Sequence, residues 1–353
     1  MKPEILITLD SMRHANTGLY TFGHSLGNEI LRQAGHDFDV SIYAYPAQHA
    51  VLGSAAGYVR HRYFHRLFFP LRRRFDVVHF ADQYCRFQPG QVRAKTVITV
   101  HDMNQIYEQQ PGTPKLARYM HRMAVKIAAA DQVVAISQYV AADLVRHFPA
   151  ARAKISVIYN GAGFSCAPPG HQPAYDPGSP FLFAVGMVCA KKNFHVLVPL
   201  LQNNARKLVI AGIVKEEYKQ KIVAEAAIHG VGDRVIITGP VSQDDKDWYY
   251  AHCEAFLFPS LAEGFGLPVI EAMHHGKPVF LSTLTSLPEI GGDAAFYFDN
   301  FEPGHMASVL AQGLADFAAH DGAAKARARA AQFTWEKSAA AYLALYRSLA
   351  FPP

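Results

Sequence analysis

Residues 260–279 read SLAEGFGLPVIEAMHHGKPV and begin directly after the apolar run AFLFP of residues 255–259. The run predicts a buried strand, and the glycines after it predict a loop. Pro268 and Gly276 mark the two ends of a predicted helix, because proline suits the first helical position and glycine the position just past the last. A strand, a loop and a helix thus follow one another, which is the repeating unit of an α/β fold.

The same alternation runs through most of the 353 residues. Continuous apolar runs such as EILIT, KTVITV and KLVIA alternate with helical stretches, which predicts parallel strands covered on both faces. The fold class we predict is α/β, with two Rossmann-like, doubly wound parallel-sheet domains. In such sheets the ligand lies beyond the carboxyl ends of the strands, so the residues just after each strand are the candidate site residues.

The alternation stops at SCAPPGHQPAYDPGSP, residues 165–180, whose five prolines predict a linker. We therefore assign residues 1–165 to the first domain, 166–180 to the linker and 181–335 to the second domain. Residues 336–353 are assigned to a C-terminal helix that we expect to pack back on the first domain.

The composition fits a globular protein, because 50% of the residues are hydrophobic and 18% are charged. The net charge of +5 favours an anionic partner. The four cysteines are far apart in the sequence, so we expect a reducing compartment and neither a zinc site nor a disulfide framework. Apolar runs are too short for a signal peptide or a membrane span, which favours a cytoplasmic location.

The chemistry of residues 260–279 depends on two carboxylates around a glycine turn. Gly264 and Gly266 allow close approach of the backbone to a phosphate, and the amides of the following helix attract anions. Carboxylates would repel a phosphate, so we expect Glu263 and Glu271 to accept hydrogen bonds from pairs of hydroxyls, as an acidic residue does for the ribose in dinucleotide folds. A sugar, a diphosphate and a ribose together make a nucleotide sugar. The alternative is two solvated glutamates.

The segment EGFGLPVIE resembles the E-x7-E motif of the GT-B glycosyltransferases, specifically the retaining family 4 group. The resemblance implies two domains that face a central cleft, the first for the acceptor and the second for the nucleotide sugar. It implies that Glu263 holds the donor sugar and Glu271 the ribose. It also implies that the intervening backbone lines the sugar and diphosphate at Gly264, Phe265, Gly266 and Leu267.

Three further segments of the second domain extend the resemblance. In VGMVCAKKN, residues 185–193, Gly186 and Lys192 match a glycine and a diphosphate-binding lysine of the family, with Lys191 adjacent. Met187 stands where the family has an arginine, so another basic residue has to compensate or the diphosphate is held differently. In TSLPEIGG and TGPVS the matching positions, which contact the diphosphate and the base, are Ser286, Leu287 and Val241.

In the first domain the resemblance rests on single residues. Gly18 in NTGLYTF matches the glycine loop that reaches the donor phosphate, and His101 in TVHDMN matches a histidine near the reacting centre. Asp102, Ser137 and Asn160 match positions on the acceptor side or near the cleft. Each of these residues also has a structural alternative as a turn or helix-cap residue.

The resemblance implies a retaining, metal-independent transfer of a hexose from a nucleoside diphosphate sugar to a glycan or lipid-linked saccharide, in the synthesis of cell-surface polysaccharide or lipopolysaccharide. The implied catalytic residues are His101, Lys192 and Glu263. We expect no cofactor besides the sugar nucleotide, no metal and no nucleic-acid partner. The acids of SQDDKD, residues 242–247, are better explained as helix-capping residues than as metal ligands.

Three functions are alternatives to glycosyl transfer. Another GT-B enzyme, such as a sugar epimerase, would use the same cleft, and Met187 leaves room for a non-catalytic sugar-nucleotide-binding protein. A Rossmann oxidoreductase is disfavoured, because no G-x-G-x-x-G follows the first strand.

Residues 58–74, YVRHRYFHRLFFPLRRR, contain six arginines and no acid. Aromatic residues interleaved with arginines suit a segment that rests on an anionic membrane surface, which would make the protein peripheral on the inner face of the membrane. The alternative is a helix that packs its aromatic residues on the core and points its arginines into water.

Overall fold

The computed structural model describes residues 2–13, 17–49, 51–52, 57–62, 65 and 75–351. The chain divides into two compact units, one of Met1–Gly161 with Thr334–Pro353 and one of Ala162–Phe333. The boundaries predicted from the sequence lie at residues 165 and 335.

In the first unit the described residues form a seven-stranded parallel sheet in the order β3-β2-β1-β4-β5-β6-β7. The strands are β1 Glu4–Thr8, β2 Asp39–Ala44, β3 Gly57–Arg60, β4 Val77–Phe80, β5 Lys95–Val100, β6 Gln132–Ala135 and β7 Ile155–Val157. Strand β3 was not predicted from the sequence. It is an edge strand without a fully buried residue, so it does not need the continuous apolar run that marks the central strands.

The described helices on this sheet are α1 Gly18–Ala34, α2 Pro46–His49, α3 Gln105–Glu108, α4 Pro114–Ala129 and α5 Gln138–His147. Three of them begin with a hydroxyl cap, because Thr17, Thr113 and Ser137 each accept a hydrogen bond from a backbone amide of the first turn.

The second unit contains a six-stranded parallel sheet in the order β10-β9-β8-β11-β12-β13. Its strands are β8 Phe181–Val185, β9 Lys207–Ala211, β10 Val235–Gly239, β11 Ala255–Phe258, β12 Val279–Ser282 and β13 Phe296–Phe298. Its α-helices are α6 Glu216–Ile228, α7 Gln243–His252, α8 Leu267–His274, α9 Leu287–Gly291, α10 Pro303–Ala319 and α11 Gly322–Ala330.

One predicted helix of this unit has a different form. Residues Phe194–Leu201 are a 3-10 helix, although the sequence pattern near 193–202 predicted an α-helix. Pro199 lies inside this element and lacks the amide hydrogen that an α-helical turn would use, and Asn193 before it is left-handed with φ 60°.

The proline-rich residues 166–180 carry neither a helix nor a strand and belong to the second unit. They are attached to α7, since His171 Nε2 lies 2.8 Å from Asp245 Oδ1 and the Tyr249 hydroxyl donates to the Tyr175 carbonyl at 2.8 Å. The chain therefore passes from the first unit into the second at residues 161–162, ahead of this segment.

The C-terminal helix α12, Trp335–Ala350, belongs to the first unit and packs on α1 and β4. Its two buried tyrosines join a chain of hydrogen bonds inside the sheet. The Tyr346 hydroxyl lies 2.6 Å from His79 Nδ1, His79 Nε2 lies 2.8 Å from Thr99 Oγ1, and Thr99 Oγ1 lies 2.8 Å from the Tyr342 hydroxyl. Burial lowers the pKa of His79 to about 3, so the imidazole is neutral in the folded protein.

We expect Tyr346→Phe to reduce the free energy of unfolding by about 1–3 kcal/mol, because it leaves a buried nitrogen of His79 without its partner. Urea-induced unfolding measures the loss. Tyr342→Phe is the matched control, since Thr99 keeps its bond to His79 in that variant, and we expect a smaller loss. Equal losses in both variants would contradict a specific role for the bond to His79.

Candidate functional site

Both sheets reverse their strand order at one point, and ligands of doubly wound sheets bind beside that point, beyond the carboxyl ends of the strands. The reversal lies between β8 and β11 in the second unit and between β1 and β4 in the first. In the second unit the segments that follow the two strands are residues 186–193 and 259–266. They contain the candidate residues Lys192 and Glu263.

Lys192 and Glu263 form an ion pair across this point of the second sheet, in which Lys192 Nζ donates to Glu263 Oε1. The Ser260 hydroxyl donates to the same carboxylate oxygen at 2.6 Å. Lys192 is buried, and its Nζ lies 4.5 Å from the ring centroid of Phe258 at the end of β11. The lysine that the sequence assigned to a diphosphate is thus held at the carboxyl edge of the sheet by the glutamate that it assigned to a sugar.

The turn from Glu263 to Gly266 is held by two hydroxyl side chains of the loop after β12. Ser286 Oγ donates to the carbonyls of Glu263 at 3.1 Å and Phe265 at 2.9 Å, and Thr285 Oγ1 accepts from the Glu263 amide at 3.0 Å. The Ser286 hydroxyl, which the family pattern assigns to the diphosphate, is therefore bonded to the backbone of this turn. Thr285 was not identified from the sequence.

Gly266 ends the turn with φ 117°, in the region that favours glycine. A side chain there would also crowd Leu287, since a Cβ would lie 3.1 Å from Leu287 Cδ2. Helix α8 starts at the next residue, Leu267, and Gly266 has no side chain with which to cap it. Pro268 in the first turn has no amide hydrogen and the Val269 amide donates to the Gly266 carbonyl at 3.0 Å, so this N-terminus offers an anion the Leu267 amide and the positive end of the helix dipole.

Gly186 follows β8 with φ 147°, and a Cβ there would lie 3.2 Å from the side chain of Lys192. The neighbouring Gly212 is packed more tightly, since its Cβ would lie 2.0 Å from the Gly186 carbonyl oxygen. These glycines let the two strand ends approach each other beside Lys192. Met187, where the family pattern has an arginine, is 39% exposed.

Glu271 has a separate set of partners on α7. Lys246 Nζ donates to Oε1 at 3.0 Å, and the Tyr250 hydroxyl donates to Oε2 at 2.8 Å. Burial, reinforced by the charge of Glu271, raises the pKa of Tyr250 well above its ordinary value, so the tyrosine remains a donor. The sequence analysis did not identify Lys246 and Tyr250. Their spacing of four residues, which puts them on one helix face, was the available signal.

Val241 lies in the loop between β10 and α7, three positions after the strand's Thr238 and directly before the Ser242 cap of α7. The loop that contains Val241 leads into α7, the helix whose Lys246 and Tyr250 donate to Glu271. The Ser242 hydroxyl caps α7 by accepting from the Asp245 amide at 3.0 Å, and Asp244 and Asp245 lie in the first turn of that helix.

In the first unit, His101 and Asp102 follow β5 and are fixed by Gln83, which the sequence analysis did not identify. The Gln83 side chain accepts from the His101 amide and donates to the Asp102 carbonyl, both at 3.0 Å. His101 Nε2 donates to the Ala81 carbonyl at 2.9 Å, and the edge of the Phe22 ring packs on the imidazole. Burial lowers the pKa of His101, which favours the neutral ring.

The remaining candidate residues of the first unit are a helix-capping serine, a buried asparagine and the glycine that begins α1. The Ser137 hydroxyl caps α5 by accepting from the Val140 amide at 3.1 Å. Asn160 is buried, and within the described part of the chain its Oδ1 has no hydrogen-bond partner. Gly18 is the first residue of α1, with open space on the side where a Cβ would project.

Most of the predicted membrane segment 58–74 lies outside the described residues, which here include only 58–62 and 65. Among these, the Tyr58 hydroxyl donates to the His49 carbonyl at 3.1 Å. In the described part of the chain no helix has the length and apolar character needed to cross a bilayer.

Two doubly wound parallel sheets, with a glycine turn, a helix N-terminus and two separate carboxylates in the second unit, define the GT-B class. The family model for group 1 glycosyl transferases matches residues 171–331, and the model for glycosyltransferase family 4 matches residues 28–162. These two matches together account for most of the chain. The protein therefore belongs to the family 4 glycosyltransferases with the GT-B fold.

Among curated proteins, the chain is similar to the serotype-specific mannosyltransferase WbdA of Escherichia coli, with 28% identity over 263 residues. The match covers 69% of this chain and 32% of WbdA, so the chain spans about a third of that relative. Among solved structures, sucrose-phosphate synthase from Thermosynechococcus elongatus has a TM-score of 0.76 at 19% identity, with 99% of both chains covered. The Anabaena protein HepE, in complex with UDP and glucose, has a TM-score of 0.71 at 16% identity and covers 97% of this chain and 99% of its own.

We expect Glu263→Gln to lower the free energy of unfolding by about 3 kcal/mol, because it leaves the buried charge of Lys192 without its counter-ion. Chemical denaturation of the wild type, both single variants and Lys192→Met/Glu263→Gln gives the coupling between the two residues. The double variant should recover most of the loss. Additive losses would show that the two side chains do not depend on each other.

Proposed function

We propose that this protein is a retaining, metal-independent glycosyltransferase that moves a hexose from a nucleoside diphosphate sugar to a glycan or lipid-linked saccharide. The observation that carries the proposal is the turn from Glu263 to α8, where two carboxylates with separate partners flank a helix N-terminus. A diphosphate suits the positive end of the helix dipole, and hydroxyl pairs suit the carboxylates. The similarity to the O-antigen chain mannosyltransferase B of Escherichia coli, 38% identical over 112 residues and 31% of this chain, supports a role in the synthesis of a cell-surface polysaccharide.

Lys192 would stabilise the charge that develops on the departing diphosphate. Its ammonium group is already at the carboxyl edge of the sheet, so little reorganisation is needed as the bond to the sugar breaks. Its ion pair with Glu263 means that this cation and the carboxylate assigned to the sugar act as one unit. Lys192 offers a point charge and lacks the planar guanidinium group of an arginine. The arginine of the family pattern is replaced here by Met187.

Glu271 would hold the ribose. Each carboxylate oxygen accepts more than one hydrogen bond, so the bonds from Lys246 and Tyr250 leave lone pairs for two ribose hydroxyls. The same two bonds fix the orientation of the carboxylate before the nucleotide arrives. The backbone at Val241, which leads into α7, is the neighbouring position for the base.

In the front-face mechanism that we propose, the departing diphosphate oxygen accepts the proton of the acceptor hydroxyl while that hydroxyl oxygen bonds to the anomeric carbon on the same face. The products are the glycosylated acceptor and a protonated nucleoside diphosphate, so the step needs no base from the protein. His101 would lie near the reacting centre as a neutral ring that contributes hydrogen bonding and no charge. The sugars to test first are mannose and glucose, since WbdA is named a mannosyltransferase and HepE is a complex with UDP and glucose.

We expect UDP, GDP or ADP to raise the melting temperature of the wild type, because a ligand that binds the native state stabilises it. Glu271→Ala should weaken binding of that nucleotide by about tenfold or more, which corresponds to roughly one charge-assisted hydrogen bond. Glu216→Ala is the control, since Glu216 is an exposed residue of α6 in the same unit. Unchanged nucleotide affinity in Glu271→Ala would remove Glu271 from the site.

With GDP-mannose or UDP-glucose as an α-linked donor, we expect an α-linked product in the presence of EDTA. NMR of the anomeric proton, recorded early in the reaction, reports the configuration. A β-linked product would contradict the retaining mechanism, and loss of transfer in EDTA would contradict metal independence.

A further inference from the structure

The first unit has its own reversal of strand order, between β1 and β4, and two aspartates follow the strands there. Asp10 comes two residues after β1, and Asp82 comes two residues after β4. In the second unit the corresponding place holds the Lys192–Glu263 ion pair. The first unit therefore has two acids at the point where the second unit has an acid and a base. We call the edge of the sheet at the ends of these two strands, with Asp10 and Asp82, the β1/β4 crevice.

Among the described residues, each of the two aspartates has one buried carboxylate oxygen without a hydrogen-bond partner. Asp82 is 1% exposed, and its Oδ1 accepts from the Tyr84 amide at 2.7 Å. Within the described part of the chain, no hydrogen-bond donor reaches Asp82 Oδ2 or Asp10 Oδ1, and both atoms are buried. Buried acceptors of this kind cost stability unless something satisfies them, so their placement at a ligand-binding edge points to a hydrogen-bonding ligand.

The charges around the pair do not neutralise it. Burial, followed by the charge of Asp82, raises the pKa of Asp10 to about 6, with smaller opposite effects from Arg86 and Cys85. Arg86 is exposed, and the buried Lys126 already donates to the carbonyls of Gln83 and Cys85. The raised pKa of Asp10 indicates a carboxylate with few stabilising hydrogen-bond donors around it, and the hydroxyls of a ligand would supply such donors.

An aromatic surface lies at the same edge of the sheet. Tyr45 follows β2 and His61 follows β3, and their rings are stacked with centroids 4.0 Å apart. The Arg13 guanidinium lies 5.7 Å from the Tyr45 ring centroid, and Arg13 belongs to the same 3-10 turn as Asp10. Aromatic side chains with a few convergent polar groups are typical of small-ligand sites. A hexose matches this combination, because it presents C–H groups on its faces and hydroxyls at its rim.

A buried aspartate oxygen without a partner also occurs outside the crevice, and it provides a comparison. Asp143 on α5 is buried, and in the described residues its Oδ2 has no hydrogen-bond partner, while its Oδ1 accepts from the Tyr107 hydroxyl at 2.5 Å. Asp143 lies on a helix, away from the carboxyl ends of β1 and β4. What distinguishes Asp10 and Asp82 is therefore their pairing at the reversal of strand order.

We propose that the β1/β4 crevice binds the acceptor hexose and that Asp10 and Asp82 hydrogen-bond two of its hydroxyls. This inference rests on the proposed function and names the acceptor side of it. The aspartates act as binding and positioning residues, since the proton of the attacking hydroxyl leaves with the nucleoside diphosphate. An uncharged polyol satisfies both orphan oxygens, whereas an anionic group would be repelled.

The test compares Asp82→Asn with Asp143→Asn as the matched control. Methyl α-mannoside, methyl α-glucoside and methyl α-galactoside serve as acceptors, with GDP-mannose and UDP-glucose as donors. Initial rates give kcat and the acceptor KM, and calorimetric titration without acceptor gives the donor affinity. We expect Asp82→Asn to raise the acceptor KM at least tenfold, with unchanged donor affinity and a smaller change in kcat, and Asp143→Asn to change none of these.

The other outcomes contradict either this inference or the proposed function. An unchanged acceptor KM in Asp82→Asn, or no methyl hexoside used by a wild type that binds donor, overturns the inference and leaves the proposed function standing. A collapse of kcat at unchanged KM would assign Asp82 to proton transfer and overturn the positioning role. Failure of the wild type to bind either donor would instead contradict the proposed function.

Asp10→Asn keeps the inference testable if Asp82→Asn does not fold. A raised carboxyl pKa in the folded state lowers stability as the pH rises from about 4 to about 6, because the folded protein holds the proton more tightly than the unfolded chain. Asparagine carries no such penalty, so Asp10→Asn should melt above the wild type at pH 7 and not at pH 4. The same variant should have a raised acceptor KM, and a variant that is more stable with an unchanged KM would overturn the role in binding.

Discussion

The ion pair between Lys192 and Glu263 is the interaction on which the second unit's site depends. It joins the segment after β8 to the segment after β11 at the point where the strand order reverses. A buried ion pair adds little net stability, because desolvation of the two charges offsets their attraction. Its retention at the ligand-binding edge is therefore better explained by what it positions, which is a cation at the carboxyl ends of β8 and β11 and a carboxylate beside the glycine turn.

The two carboxylates of residues 260–279 belong to different local networks. Glu263 is bonded to Lys192 and Ser260, and its backbone is held by Thr285 and Ser286. Glu271 is bonded to Lys246 and Tyr250 of α7. Because the two sets share no residue, the carboxylates are oriented independently, which suits contacts with two different parts of one extended donor.

The central strands and the glycine turn could be predicted because their signals are local. Buried parallel strands require continuous apolar runs, and Gly266 requires a conformation that glycine favours. Edge strand β3 lacks such a run, and the 3-10 form of Phe194–Leu201 depends on one internal proline. The roles of Lys246, Tyr250 and Gln83 could not be predicted, because they exist only once distant segments have packed together. The spacing of Lys246 and Tyr250 places both on one helix face, but it does not identify Glu271 as their partner.

A nucleoside diphosphate without its ribose hydroxyls tests the division of labour between the two glutamates most directly. Calorimetry would compare the diphosphate that binds the wild type with its 2′,3′-dideoxy counterpart, in the wild type and in Glu271→Ala. The account predicts that removal of the hydroxyls weakens binding to the wild type by about tenfold or more and has little effect on Glu271→Ala. The same loss in both proteins would contradict the assignment of Glu271 to the ribose.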